Sequence, residues 1–416
     1  MSKLINDIKK TIEDDPESYG KENRQHMHKT GFDCIDYLNG SCTILDNGKK
    51  DFSLGVDAGK IITIIGKSGS GKSTLAIQMA HNIIKHYEDG LLYIYDFEQS
   101  NTESRIRSVT GMSQDYYNNH VIIRQVGISA ESILKLAIMI RDQKKSYGDS
   151  LLVDNADGVL DADGKPVKIL PPTVILVDSL ATCLPKAQID KEMGGQMDAT
   201  AIAKANTALV KHLTQICAEG NIIVIFINHI TQKVNITMMP TQAQVNYLKP
   251  DENLPGGLGP IFLTNTLIKI TTKSKLDPEK GGYGIKGFEA VIELIKSRTA
   301  PAGSVTSMIF NQREGFDNEL SLLEYIKNCG AVKGNGKAYR LEGLEDVTFR
   351  ASNFKEVLAE NETFREYFYT LGRKLLEGSI IHSTRVKSVE IPEEEPVVFD
   401  DEAIAEDEVI TDEFGS

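Results

Sequence analysis

An α/β fold with a mostly parallel central sheet is predicted by three observations. Apolar runs recur at 61–65, 91–95, 174–177, 222–227, 267–271, 289–295 and 306–310 with helical segments between them, as expected when crossover helices cover both faces of a sheet. The first run, Ile61-Ile62-Thr63-Ile64-Ile65, leads straight into GKSGSGKS at 66–73, and then Leu75, Ile77, Met79, Ala80, Ile83 and Ile84 follow on a helical period. Val174-Ile175-Leu176-Val177 is wholly apolar, as a strand buried on both faces should be, and ends in Asp178.

The segment from Gly66 to Ser73 satisfies G-x-x-x-x-G-K-[ST] in the strand–loop–helix setting that this pattern requires. In that setting, glycine-rich backbone N–H groups close around the β- and γ-phosphates of a nucleoside triphosphate. Lys72 adds a point charge, Ser73 places a hydroxyl on Mg²⁺, and the helix beginning near Gly71 adds its positive end. Gly66, Lys67, Ser68, Gly69, Ser70, Gly71, Lys72, Ser73 and Thr74 are the expected nucleotide contacts, with ATP and Mg²⁺ as the cofactors. A chance glycine-rich turn would need neither the strand before it nor the apolar helix after it.

Asp178, at the end of its strand, is expected to share the Mg²⁺ shell with Ser73. The strand Leu91-Leu92-Tyr93-Ile94-Tyr95 also ends in acids, Asp96 and Glu98, and the C-terminal end of a parallel sheet faces the ligand crevice. Glu98 is the candidate base that polarises the attacking water, and a solvated loop acid is the alternative.

With 416 residues the chain suggests two or three units, and its 41% apolar content is ordinary for a globular protein. No apolar run approaches a membrane span, and the first residues lack a signal-peptide core. Five scattered cysteines without a C-x-x-C argue for reduced thiols in a cytoplasmic setting, and against zinc or disulfides. The net charge of −13 is unevenly placed: Val389–Ser416 holds twelve Asp or Glu and no Lys or Arg, leaving −1 for the rest. That stretch is expected to be a disordered acidic tail, either a solubility aid or a mobile polyanion competing with DNA for basic surfaces.

The expected organisation begins with a short amphipathic N-terminal helix and linker over 1–30, marked by Leu4, Ile5, Ile8 and Ile12. A nucleotide-binding core follows over 31–312, then a small α+β domain over 313–385 with helices at 320–328 and 354–377, and the tail over 386–416. Residues 41–52 and 149–172 read as inserts. The second contains Asp154-Asn155-Ala156-Asp157-Gly158 and Asp161-Ala162-Asp163-Gly164, but a calcium loop would need an oxygen ligand at Ala156 and a closing Glu, so a polar β-hairpin is expected.

From Thr30 to about residue 380 the chain resembles the RecA family of strand-exchange recombinases, and in particular its divergent phage branch, which includes UvsX. Thr30-Gly31-Phe32-Asp33 with Asp36-Tyr37-Leu38 is similar to the family's opening motif, and Asp96-Phe97-Glu98 to its D-A-E segment. Val177-Asp178-Ser179-Leu180-Ala181 followed by Leu184-Pro185-Lys186-Ala187 resembles V-D-S-V-A-A-L-T-P-K-A. Phe226-Ile227-Asn228-His229-Ile230 resembles F-I-N-Q-I, and Lys296-Ser297-Arg298-Thr299-Ala300-Pro301 resembles K-N-K-I-A-A-P. The phosphate-binding loop alone is shared by many NTPase families.

The resemblance implies a RecA-like fold and roles for individual residues. Lys296 and Arg298 take the places of paired cations that reach a neighbouring subunit's phosphates in a helical filament; an exposed strand end is the alternative. His229 takes the place of a glutamine that senses the γ-phosphate, against an ordinary loop histidine. Two DNA-contacting loops fall near 190–199, with Met193 and Met197, and 229–257, with Lys233, Tyr247, Lys249 and the closing pair Gly256-Gly257. Lys204 and Lys211, seven apart, share one helix face and match basic groove residues, or are simply solvated. Arg105 falls near an adenine-stacking aromatic, and Lys333, Lys337 and Arg340 near a secondary duplex contact or an ordinary polar turn.

By the same resemblance, the expected protein is an ATP-dependent recombinase and DNA-dependent ATPase. It would form helical filaments on single-stranded DNA, take up double-stranded DNA and exchange strands in recombination and DNA-damage repair. Mediator and single-strand-binding proteins would be further partners. A helicase or translocase with the same NTPase residues is the first rival, and a non-catalytic ATP-binding mediator the second.

Overall fold

The computed structural model describes residues 26–44, 48–160, 164–189, 199–232, 245–278, 283–335, 338–380 and 382–385. Residues 1–25 of the N-terminal helix and linker expected over 1–30, the loop residues 190–198 and 233–244 and the acidic tail lie outside them.

A nine-stranded sheet forms the centre. Its strands are β1 (Ile61–Gly66), β2 (Leu91–Asp96), β3 (Val121–Arg124), β4 (Thr173–Asp178), β5 (Ile222–His229), β6 (Thr266–Leu276), β7 (Gly287–Lys296), β8 (Val305–Asn311) and β9 (Gly315–Asp317). The spatial order is β9-β8-β7-β6-β1-β5-β4-β2-β3. The six strands from β6 to β3 run parallel, and β7, β8 and β9 add on antiparallel at one side.

Alternation within the strands builds two cores. Ile62, Ile64, Val174, Leu176, Ile223, Ile225 and Ile227 face one way, against Leu75, Met79 and Ile83 of helix α1 (Lys72–Ile84). Ile175, Val177, Ile222, Val224 and Phe226 face the other way, against Ile133 and Ala137 of α2 (Ala130–Tyr147) and Leu209, Val210 and Leu213 of α3 (Ala199–Gly220). The buried helix covers one face and the α2–α3 pair the other, so β1, β4 and all of β5 before His229 lose their water, which is why these strands carry long apolar runs.

The register brings the functional segments to one edge. His229 pairs with Gly66, Asp178 with Asp96, and Asp178 also with Ile227. The C-terminal ends of β1, β2, β4 and β5 therefore sit side by side.

The insert at 149–172 is a β-hairpin as expected, with Val153–Asp154 antiparallel to Lys168–Ile169. In the insert at 41–52, Ser41–Ile44 pairs with Lys50–Ser53 and, in parallel, with His382–Arg385. Two readings are corrected. Strands β3 and β9 fall outside the seven predicted apolar runs, β3 because it is only four residues long and closes with a charge, β9 because it is only three residues long and begins with glycine. The helix expected over 354–377 is two helices, Phe354–Glu360 and Glu362–Ser379: Asn361 leaves the helical conformation and its side chain accepts from the Phe364 N–H at 2.9 Å, capping the second. Their aromatic face (Phe354, Phe364, Phe368) packs with Phe349, Leu323 and Ile326, and also with Tyr37 and Cys42 from the opening segment.

Candidate active site

The phosphate loop depends on its glycines. Gly69 and Gly71 have φ of 76° and 88°, in the left-handed region that a side chain resists. At Gly66 a Cβ would lie 2.6 Å from the Ile270 carbonyl oxygen of β6, so the loop can close only without one. Lys72 is 4% exposed, and its Nζ donates to the Lys67 carbonyl at 2.8 Å. Burial lowers the pKa of its ammonium, while Asp178 and Glu98 oppose that fall. The Ser70 hydroxyl is buried without a partner, a free polar group inside a loop built to surround oxygen atoms.

Asp178 is 1% exposed, and burial is the largest cause raising its pKa, opposed chiefly by a hydrogen bond from Ser73. Asn101 Nδ2 donates to Asp178 Oδ2 at 3.4 Å, whereas Oδ1 has no partner. A buried carboxylate oxygen left open beside a serine hydroxyl is a hard-oxygen set, and Ser73 and Asp178 thus fit Mg²⁺.

Glu98 sits on a loop tied down by Asp96, whose carboxylate accepts from Ser100 N (3.2 Å), Asn101 N (2.9 Å) and Gln125 Nε2 (2.8 Å). Glu98 Oε1 lies 2.8 Å from His229 Nε2. Ligand atoms of Glu98, Asp178 and His229 all fall within 4.8 Å of one another. The structure thus brings together Lys72, Ser73, Asp178, Glu98 and His229, residues drawn from four strand ends. Asn101 and Gln125 were missed by the sequence reading, because a polar loop residue gives no periodic signal.

The base of the second loop folds onto this site. Thr231–Gln232 pairs with Glu252–Asn253, and buried Glu252 forms an ion pair with Lys67 of the phosphate loop at 3.5 Å. No local pattern in the sequence links Lys67 to Glu252, because most of the core separates them along the chain. Gly256 and Gly257 have φ of 85° and 90°, and a Cβ on Gly257 would lie 2.8 Å from Ala203 Cβ of α3. Lys204 and Lys211 are both exposed on α3. Lys249 is exposed, and the Tyr247 hydroxyl is buried without a partner. Arg105 reaches toward Thr74 (3.5 Å) and donates to the carbonyls of Gln312 and Arg313 at 3.0 and 3.1 Å, so it is fixed at the rim of the phosphate loop. Met193, Met197, Lys233 and Lys337 lie outside the described residues.

Lys296 and Arg298 lie elsewhere. Lys296 pairs with Leu267, which pairs with Thr63, three residues before Gly66. The chain then runs further from the phosphate end. Lys296 Nζ donates to the carbonyls of Phe262 (2.5 Å) and Thr264 (2.8 Å), which precede β6, and Arg298 is exposed. With about 3.3 Å per strand residue and two strands of sideways offset at about 4.8 Å each, Lys296 stands about 14 Å from Gly66, and its ammonium is held at the end of β6 away from the phosphate loop. Phe262, 60% exposed, stands beside Lys296.

Among the described residues no helix is long and apolar enough to cross a membrane. A family model described as RecA N-terminal domain matches residues 151–312, and one described as ABC transporter matches 49–160, the part that holds the phosphate loop. The chain is 24% identical over 334 residues to Protein RecA of Caldanaerobacter subterraneus, covering 80% of this chain and 82% of that one. It is 24% identical over 356 residues to Protein RecA of Macrococcus caseolyticus, covering 85% and 87%. Protein RecA of Chlorobaculum parvum is 24% identical over 332 residues, covering 79% and 82%. These likenesses span both halves of the core and support a RecA-like, nucleotide-binding ATPase.

Proposed function

We propose that the chain is an ATP-dependent DNA recombinase that polymerises on single-stranded DNA, pairs it with homologous duplex and exchanges strands. Its departures at His229 and Arg298 are read as those of the divergent, UvsX-like phage branch. The supporting observation is the placement of Lys296 and Arg298. Two neighbouring cations at the end of the sheet remote from their own phosphate loop have no triphosphate within reach, whereas an adjoining copy stacked head to tail would offer one. Heterologous contacts of that kind build helical filaments when they do not close. Exposed Phe262 beside the cations fits the same contact surface.

In this reading Lys72 and the loop N–H groups hold the triphosphate, and Glu98 orients the attacking water and accepts its proton. Mg²⁺, held by Ser73 and Asp178, would neutralise charge on the phosphate oxygens. His229 gives up its bond to Glu98 (2.8 Å) to meet the γ-phosphate, which frees the base only when nucleotide is present. The Lys67–Glu252 pair ties the phosphate loop to the second loop, which carries the DNA-facing residues. Lys204, Lys211, Lys233 and Lys249 supply phosphate contacts without sequence preference, and base pairing between strands supplies specificity.

Complementation tests this reading. Lys72→Ala should abolish DNA-dependent ATP hydrolysis. Lys296→Ala with Arg298→Ala should lower it by roughly 10²-fold or more, the scale of a lost phosphate-stabilising cation. Mixing the two inactive proteins on single-stranded DNA should restore part of the rate, because some interfaces then combine an intact loop with intact cations. Absence of any rescue would remove the assignment in trans, and unwinding without strand exchange would favour the helicase.

A further inference from the structure

We propose that the nucleotide-free site also binds a transition-class divalent cation, of the Zn²⁺ type, through Glu98, Asp178 and His229. Their ligand atoms lie within 4.8 Å of one another. Tetrahedral Zn²⁺ with ligands at about 2.0–2.2 Å holds its donors roughly 3.4 Å apart, so rotation of exposed side chains by about an ångström closes the set. Glu98 and His229, whose side chains are 33% and 24% exposed, can make that adjustment and leave a path from solvent. Asp178 cannot move, and it does not need to: it is buried, and Oδ1 is unpartnered.

The chemistry of the set separates this cation from Mg²⁺. An imidazole nitrogen with two carboxylates suits a borderline metal, whereas Mg²⁺ prefers oxygen throughout and keeps its waters. Two carboxylates, with Asp96 close behind, give the pocket negative charge; Lys72 opposes it, but its ammonium is turned to the Lys67 carbonyl. No cysteine takes part, so the scattered thiols that argue against a cysteine zinc site do not bear on it. Such a cation would take the place of the Glu98–His229 hydrogen bond and withdraw both side chains from nucleotide. Zn²⁺ would then hold the protein in an inactive, nucleotide-free form. The site requires only these three side chains, so it stands or falls independently of strand exchange.

The test is calorimetric titration of the untagged full chain with Zn²⁺, without nucleotide and with excess Mg²⁺ present. One equivalent should bind. His229→Gln and Glu98→Gln should each weaken it at least tenfold, and Cys329→Ser, which removes the exposed thiol, should leave it unchanged. Both substitutions preserve size and hydrogen-bonding capacity, so either can decide if the other misfolds. Binding as tight in His229→Gln and Glu98→Gln as in the parent, or no equivalent at all, would overturn the proposal.

Discussion

Asp36 shows how a residue in a functional-looking motif can be a purely structural device. Its Oδ1 accepts from the Thr30 N–H at 2.8 Å and the Thr30 hydroxyl at 2.6 Å, which folds the opening segment back on itself. Burial outweighs those bonds and pushes its carboxyl up from 3.8 to about 7. A raised folded-state pKa means that its contribution to stability is complete below the unfolded value and is lost as pH rises through about 7. Asn can accept the same two bonds without a charge. Asp36→Asn should therefore match the parent near pH 4 and exceed it in urea midpoint at pH 8. Lys144 behaves in the opposite sense. Its Nζ caps α3 at the Gly220 carbonyl (2.8 Å) and meets Pro171 O, and burial lowers its pKa to about 7. Its folded state therefore binds fewer protons than the unfolded chain above that pH, and stability gained through this group rises with pH from about 7 toward 10.5.

At the scale of elements, helix α1 and the loop after β2 carry different burdens. Leu75 and Met79 of α1 are 0% exposed, and Leu75→Ala should cost about 2–5 kcal/mol of unfolding free energy in denaturant titration. Asn101 stabilises little by itself but joins Asp96 to Asp178, and through them fixes the loop that presents Glu98. Losing one modest hydrogen bond, worth about 1 kcal/mol, should lower ATP turnover in Asn101→Ala by roughly five- to tenfold, with the melting temperature nearly unchanged. A larger loss of stability than of turnover would make Asn101 a structural residue only. The Lys67–Glu252 pair has one exposed and one buried partner, so its coupling in a double-mutant cycle on nucleotide affinity should be about 0.5–1 kcal/mol.

For the whole molecule, the separation of Lys296 and Arg298 from the chain's own phosphate loop makes assembly a condition of activity in the proposed reading. Charge acts on the same scale. Removing residues 389–416 takes away twelve carboxylates, and duplex binding should tighten, most at low salt, because screening at ~0.1 M confines such effects to about 10 Å. Equal affinity with and without the segment would leave it a solubility role.

The sheet was legible because its signal is local: an apolar run long enough to bury both faces marks β1, β4 and β5 whatever packs on them. GKSGSGKS was legible for the same reason, since the phosphate loop is made by consecutive backbone. Four-residue β3 and the break at Asn361 gave no such signal, because a short edge strand and an internal cap differ from their neighbours by a residue or two. Local sequence alone places a triphosphate-binding pattern between a buried strand and a helix, and acids at the ends of the neighbouring strands. That His229 meets Glu98, that Glu252 meets Lys67, and that the Lys296 ammonium is seated on the carbonyls before β6 emerge only in the folded chain. Those contacts join residues far apart in the chain, and strand register, a property of the folded sheet, is what brings them together or keeps them apart.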